Sequence, residues 1–246
     1  MSCRLFVARD RLTEGDFALD ADDHHYLIRV RRLRAGDTVT LFDGEGREAD
    51  AEITAVTDGG ASLRVGAPRD VREPDAVHLT VLLSVIKGDR TEWAIQKLVE
   101  LGVDRIVPVL AARCVVKLEG KRAADRHRRY QAVAEDACRQ CGRATIPEVD
   151  PPRSLAEALA RAPERAVKLM LWERARGASL RAALPAQPPE AVALLVGPEG
   201  GFTDAEAELA ASEGWRPVGF GPRILRSETA AVAAAAAVAA SVGNLD

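Results

Sequence analysis

Phe220-Gly221-Pro222-Arg223-Ile224-Leu225-Arg226-Ser227-Glu228-Thr229-Ala230 is a loop that runs into a helix, and its reading decides the fold. Pro222 has no N–H to give a ladder, so it ends the preceding strand. Ser227 suits an N-cap, and Glu228 then sits in the first turn, where the helix dipole favours a carboxylate. The alanine-rich run that follows predicts a helix to about Val242. Leu194–Asp204 repeats this plan upstream. The apolar run Ala191–Val196 predicts a buried strand. It ends in Gly197-Pro198-Glu199-Gly200-Gly201-Phe202, and Thr203-Asp204-Ala205-Glu206 forms a capping box that opens the next helix. Two strand–loop–helix units thus lie in tandem, each with glycine after its strand. Open α/β sheets bind ligands at that edge, and glycine lets a ligand approach the backbone closely.

The residues before these units alternate in the same way. His78–Val85 predicts an apolar strand, and Asp89 caps a helix with Ala94, Ile95, Leu98 and Val99 on its buried stripe. Gly102 ends that helix. Arg90, Trp93, Lys97 and Glu100 share its other side, where packing suits Trp93 better than stacking on a base. Arg105–Leu110 predicts a strand, Arg113–Val116 a short extended piece, and Lys121–Gln140 a long polar helix. Ser154-Leu155-Ala156-Glu157 is a second capping box, Ala166–Trp172 a strand, and Pro185–Glu190 a loop. Such alternation argues for an α/β fold, a parallel sheet covered by helices on both faces.

The first seventy residues differ. Short runs at Arg4–Val7, Thr38–Phe42, Glu48–Val56 and Ala61–Val65, punctuated by Gly44-Glu45-Gly46 and Asp58-Gly59-Gly60, predict a small barrel. Tyr26, Leu27, Val30 and Leu33 place one helix over Asp22–Arg34. Arg29, Arg31, Arg32 and Arg34 crowd its end, more cations than a helix terminus needs. His24 and His25 have no metal set around them and read as surface or interdomain residues. Val71–Ala76, bracketed by Pro68 and Pro74, reads as a linker, giving domains 1–72 and 73–246.

The net charge of −3 gives no global signal for nucleic acid, but residues 87–143 hold 13 Lys+Arg against 8 Asp+Glu. A basic segment in an acidic chain suits a polyanion on one face, but from the counts alone solvated helix faces are the better reading. Four cysteines in 246 residues are no secreted disulfide scaffold, no run is long enough to span a membrane, and cytoplasm is the expected compartment. Cys138-Arg139-Gln140-Cys141 lacks the further ligands of a zinc site. It also closes a helix instead of opening one, which excludes a thioredoxin-like thiol. No metal is expected. The chain has no Gly-x-Gly-x-x-Gly and no Walker loop.

Leu195–Phe202 and Gly221–Ala230, with Lys87-Gly88-Asp89-Arg90-Thr91-Glu92-Trp93 and Cys141-Gly142-Arg143, resemble the SPOUT methyltransferases. The likeness is closest to the RsmE family, which methylates N3 of a uridine in 16S ribosomal RNA. The matching segments lie in the family's order and cover essentially the whole chain. Arg139 stands where that family usually has Glu. The resemblance implies a PUA-like RNA-binding barrel, then a SPOUT domain with a trefoil knot, a homodimer, and no DNA or membrane partner. It implies S-adenosylmethionine held by Leu171, Val196, Gly197, Glu199, Gly200, Gly201, Phe220, Gly221, Ile224, Leu225, Arg226 and Thr229. Arg226 would stabilise charge on the uracil oxygens. The proton acceptor is Glu228, Glu199 or solvent, and these residues do not decide among them. RNA would be gripped by Arg29, Arg31, Arg32 and Arg34, with Lys87, Arg90, Arg113, Lys117 and Arg143. The residues alone leave three other classes open: another nucleotide-binding α/β enzyme, a ribosome-associated RNA-binding protein without catalysis, and a related methyltransferase acting on another RNA.

Overall fold

A computed structural model describes residues 3–71, 77–175 and 179–245. Most of the linker expected at Val71–Ala76, from Arg72 on, lies outside these residues. The chain forms two units, Met1–Pro74 with Cys138–Ile146, and Asp75–Ala137 with Pro147–Asp246.

The first unit opens with β1 (Cys3–Phe6) and β2 (Gly15–Ala18). A short helix α1 (Ala21–His24) runs on as a wide π-type turn over His25–Val30. Then come β3 (Thr38–Phe42), β4 (Arg47–Thr57), β5 (Gly60–Val65) and β6 (Arg69–Asp70). The sheet order is β1-β3-β4-β5-β2, with β6 on β4, and only the β1–β3 pair is parallel. Alternate residues of β4 and β5 point inward, so Ile53, Leu63 and Val65 join Leu5, Leu41 and Leu27 in one core. This is a PUA-like module of barrel type. The single helix expected over Asp22–Arg34 is not formed. Arg31 N–H donates to Tyr26 O and Leu33 N–H to Leu27 O, wider turns than an α-helix makes. They bring Leu33 back against the core. Arg32 then lies at φ 59°, outside any right-handed helix.

The second unit holds β7 (His78–Ser84), α2 (Arg90–Glu100), β8 (Arg105–Leu110) and the long α3 (Gly120–Cys141). Next are β9 (Glu148–Val149), β10 (Arg153–Ser154), α4 (Leu155–Leu159), β11 (Val167–Leu171) and α5 (Leu180–Ala183). The chain closes with β12 (Ala191–Val196), α6 (Asp204–Ser212), β13 (Arg216–Val218) and α7 (Ser227–Val242). Every strand pair is parallel, in the order β10-β8-β7-β12-β11-β13 with β9 on β8. On one face α4 and α6 pack with Leu82, Val107, Met170 and Leu195. α7 lies on β7 and β12 and packs against α2. Its buried stripe is Ala231, Ala234, Ala235, Val238 and Ala239, small side chains that let the elements approach closely. The expected α/β architecture is what forms.

Local rules explain most boundaries. Both expected capping boxes are made, by Ser154 with Glu157 and by Thr203 with Glu206. Gly243 ends α7 in the left-handed conformation, at φ 84°. Four expectations fail. Arg113–Val116 is not extended, because Cys114 N–H donates back to Ala111 O and closes a turn. The strand before Pro222 ends earlier, at Val218, and Pro217 sits within it on the sheet edge, where its missing N–H costs no ladder bond. Ser227 is not the N-cap of α7. That position is Arg226, extended at φ −64° and ψ 151°, and Ser227 is buried as the first helical residue. Asp89 caps α2 by position only, without a side-chain bond, and the Thr91 hydroxyl instead ties the turn to Ile86 N–H and O.

The last turn of α3 and the residues to Ile146 cluster with the first unit. Ile146 N–H donates to Gly44 O and Gly46 N–H to Ala144 O, so this segment pairs with the turn before β4. The Arg139 guanidinium lies 5.5 Å over the Tyr26 ring. Cys138 is buried with its thiol aimed at Thr145 O, and Cys141 is exposed.

Candidate active site

The carboxyl ends of β11, β12 and β13 lie side by side, since Leu171 pairs with both Val196 and Val218. The loops that leave them enclose a cavity of about 720 Å³. This is the sheet edge at which open α/β sheets take ligands. The first wall is Val196, Gly197, Glu199, Gly200 and Gly201; the second is Phe220, Gly221, Ile224, Leu225 and Arg226. Leu171 forms part of the floor. Of the residues expected to hold a cofactor, only Thr229 is not in the lining; it points outward from α7. The sequence reading missed the third wall, Trp172, Glu173 and Ala175, which leaves β11. The signal was available, because those residues follow a strand of the same parallel sheet. It also missed Phe202, whose ring sits 3.0 Å from where a Cβ on Gly197 would stand.

The glycine loop is shaped for close approach. Gly201 has φ 67°, and a Cβ there would stand 3.0 Å from Glu173 Oε1. The loop is also held from behind. Arg113 Nη1 donates to Gly200 O at 2.8 Å and to Phe202 O at 3.4 Å. Ala112 N–H donates to Glu206 Oε1, which links this turn to the start of α6. Cys114 beside it is half-buried, and burial pushes its thiol up from the ordinary range.

The proposed catalytic residues divide. Arg226 and Glu199 line the cavity, whereas Glu228 is buried behind it at 8% exposure. Glu228 Oε2 accepts no hydrogen bond. Arg90, expected on RNA, also lines the cavity. Its Nη1 is 3.6 Å from Glu199 Oε1 and 3.9 Å from Glu228 Oε1. Lys87 is exposed, and its backbone N–H donates to Glu199 Oε1 at 3.2 Å. Lys117 is exposed on the loop before α3.

Arg29, Arg31, Arg32 and Arg34 are all exposed in the first unit. The helix they were read as ending stops at His24 and its wide turn at Val30; Arg31 is the C-cap of that turn through its backbone N–H to Tyr26 O, and Arg32 and Arg34 lie beyond it. Arg143 is half-buried in the same unit. Among the described residues no group of His, Cys, Asp or Glu could hold a metal ion, and no helix is long and apolar enough to cross a membrane.

Three loops meet at the cavity, and the glycines among them leave room for a ligand to approach the backbone at the wall. A carboxylate and a guanidinium face the same space, the pair a proton removal with developing negative charge requires.

Known proteins agree with this geometry. Residues 73–239 match the family model described as RNA methyltransferase domain, and residues 19–66 that described as RNA methyltransferase PUA domain. Ribosomal RNA small subunit methyltransferase E of Bacillus subtilis is 31% identical over 90% of this chain and 89% of its own. The protein of that name from Mycobacterium bovis is 34% identical over 93% and 87%. A crystal structure of ribosomal RNA small subunit methyltransferase E from Neisseria gonorrhoeae, bound to S-adenosylmethionine, superposes with a TM-score of 0.88. It is 34% identical, and 98% of each chain is covered.

Removing the Arg113 side chain should loosen the glycine loop. Arg113→Ala is expected to weaken S-adenosylmethionine binding ~10-fold, the scale of one lost charged hydrogen bond, with no change in RNA affinity. Calorimetry checks the first and a filter-binding titration the second. Weakened RNA binding with intact cofactor affinity would return Arg113 to the RNA contacts.

Proposed function

We infer the reaction from the family: the chain belongs to the ribosomal RNA small subunit methyltransferase E family, and it is an S-adenosylmethionine-dependent methyltransferase of 16S ribosomal RNA. The acceptor we propose is N3 of a uridine. The observation that carries this reading is the cavity at the ends of β11, β12 and β13, with Arg226 and Glu199 in its walls.

S-adenosylmethionine supplies a methyl group on a sulfonium, open to in-line displacement. The rest falls to the chain. The backbone of Gly197–Gly201 and Phe220–Leu225 would hold the adenosyl part, with Leu171 and Val196 beneath it. Alignment of methyl and acceptor is most of the task. Uracil N3 bears a proton that must leave, and the ring oxygens gain charge as it does. Arg226 lines the cavity and forms no ion pair among the described residues, which supports a role in meeting that charge. Of the two carboxylates in the cavity lining, Glu173 and Glu199, we propose Glu199 as the one that accepts the proton.

We place RNA on Arg29, Arg31, Arg32 and Arg34, whose exposure supports a phosphate grip. Arg32→Ala should weaken RNA binding a few-fold and reduce its salt slope by about 0.7, leaving cofactor affinity unchanged. Normal binding across a salt series would move the grip elsewhere in the first unit.

Three further readings belong to this proposal. A trefoil knot is supported by the path of the chain, which leaves β13 at the sheet edge and returns to lay α7 on β12 and β7. A homodimer is supported by exposed Ile224 and Trp93, at 88% and 46%. The small-residue stripe of α7, by contrast, is spent on packing within the chain. Light scattering at micromolar concentration tests the dimer. The third is action in the cytoplasm, on the small subunit or its RNA. The decisive assay supplies labelled S-adenosylmethionine with small-subunit RNA or small subunits and maps the modified base. Label at uridine N3 is expected. No transfer would leave an RNA-binding protein without catalysis, and label on another RNA a related enzyme.

A further inference from the structure

We propose that Arg90 is a positioning residue for methyl transfer, holding Glu199 as the proton acceptor while Glu228 keeps Arg90 in place; the inference rests on the methyl-transfer reading above. The three side chains come from three separate elements. Arg90 begins α2, Glu199 lies in the loop after β12, and Glu228 is in the first turn of α7. One guanidinium nitrogen stands 3.6 Å from Glu199 Oε1 and 3.9 Å from Glu228 Oε1. It therefore ties the loop after β12 to the start of α7. Lys87 N–H fixes the same Glu199 oxygen from the stretch before α2.

The charges explain why two carboxylates share one cation. Glu228 is a buried carboxylate with one oxygen lacking any hydrogen bond. A buried charge persists when it is paired, and Arg90 is the cation nearest to hand. Two carboxylates against one guanidinium leave one negative charge in excess. Glu199 is the member that reaches the cavity. When Glu199 takes the proton, Arg90 and Glu228 remain as a balanced pair. The step closes in atoms and electrons. The N3–H bond breaks and its proton goes to a Glu199 oxygen. The electron pair left on nitrogen forms the bond to the methyl carbon, and the pair of the broken carbon–sulfur bond stays on sulfur.

Arg90→Gln, Arg90→Lys, Glu199→Gln and the double variant Arg90→Gln/Glu199→Gln test this. Each is assayed for single-turnover rate at saturating RNA and cofactor, for cofactor affinity by calorimetry, and for RNA affinity across a salt series. Arg90→Gln should lose about 100-fold in rate, the scale of a misplaced reacting group. Arg90→Lys should recover most of it. RNA affinity and salt slope should not move. In the Glu199→Gln background Arg90→Gln should cost under about 3-fold, because residues acting through one another are not additive. Should Arg90→Gln alone lose its fold, Arg90→Gln/Glu228→Gln leaves no unpaired buried carboxylate and should show the same loss. A wild-type rate in Arg90→Gln, or its full cost retained without Glu199, overturns the proposal. Weaker RNA binding with a flatter salt slope also overturns it and makes Arg90 a phosphate contact. A wild-type protein that transfers no methyl removes the underlying reading as well.

Discussion

Arg226→Ala should lower the single-turnover rate of methyl transfer by about 100- to 1000-fold, the cost of removing one preorganised group that stabilises a developing oxyanion. Affinity for RNA and for S-adenosylmethionine should stay within a few-fold, because the interaction is made mainly in the transition state. Arg226 is exposed at the mouth of α7, where it serves as N-cap residue through its backbone alone. Its side chain makes no capping bond, so the fold should tolerate the change. Arg226→Lys keeps charge without the planar fork and should recover only part of the rate. A wild-type rate in folded Arg226→Ala would assign charge stabilisation to another group.

Gly201→Val should abolish measurable cofactor binding, a loss of more than about 100-fold, while the protein still folds. Two costs coincide at this position. A β-branched residue at φ 67° is strained by about 1–2 kcal/mol or more. The new Cβ would also meet Glu173 Oε1 at 3.0 Å, so the cavity wall must move. The loop lies at the sheet edge and outside every strand, so the melting temperature should fall only modestly. Calorimetry with S-adenosylmethionine, beside a thermal melt, separates the two effects. Unchanged affinity in folded Gly201→Val would remove the cofactor from this cavity. Arg113→Ala acts on the same loop from outside and should be milder, since it removes a support and places nothing in the cavity.

The sequence by itself determined the local grammar of this chain. The apolar run Ala191–Val196, the glycines after it and the Thr203–Glu206 capping box are signals carried within a turn or two, so propensity and hydrogen bonding with near neighbours suffice. The same holds for the stripe of α2 and the alanines of α7. The two glycine-bearing loops marked the sheet edge where a ligand would bind, and the family resemblance carried by them implied about half of the cavity lining. Tertiary structure decided which elements became neighbours. Only the strand order sets β11 between β12 and β13 and brings Trp172 and Glu173 to the cavity as its third wall. Only the fold carries Arg113 to the carbonyls of Gly200 and Phe202, and Arg90 between Glu199 and Glu228. In the sequence these two arginines are indistinguishable from solvated cations of a basic segment. The loss of helix after Val30 has the same origin. Helical spacing predicted a continuous helix, but burying Leu27 and packing Leu33 against the same core is served better by a wider turn. Periodicity records which face of an element is apolar. It carries no information about contacts between residues distant in the chain, such as Arg113 with Gly200, which are fixed when the sheet assembles.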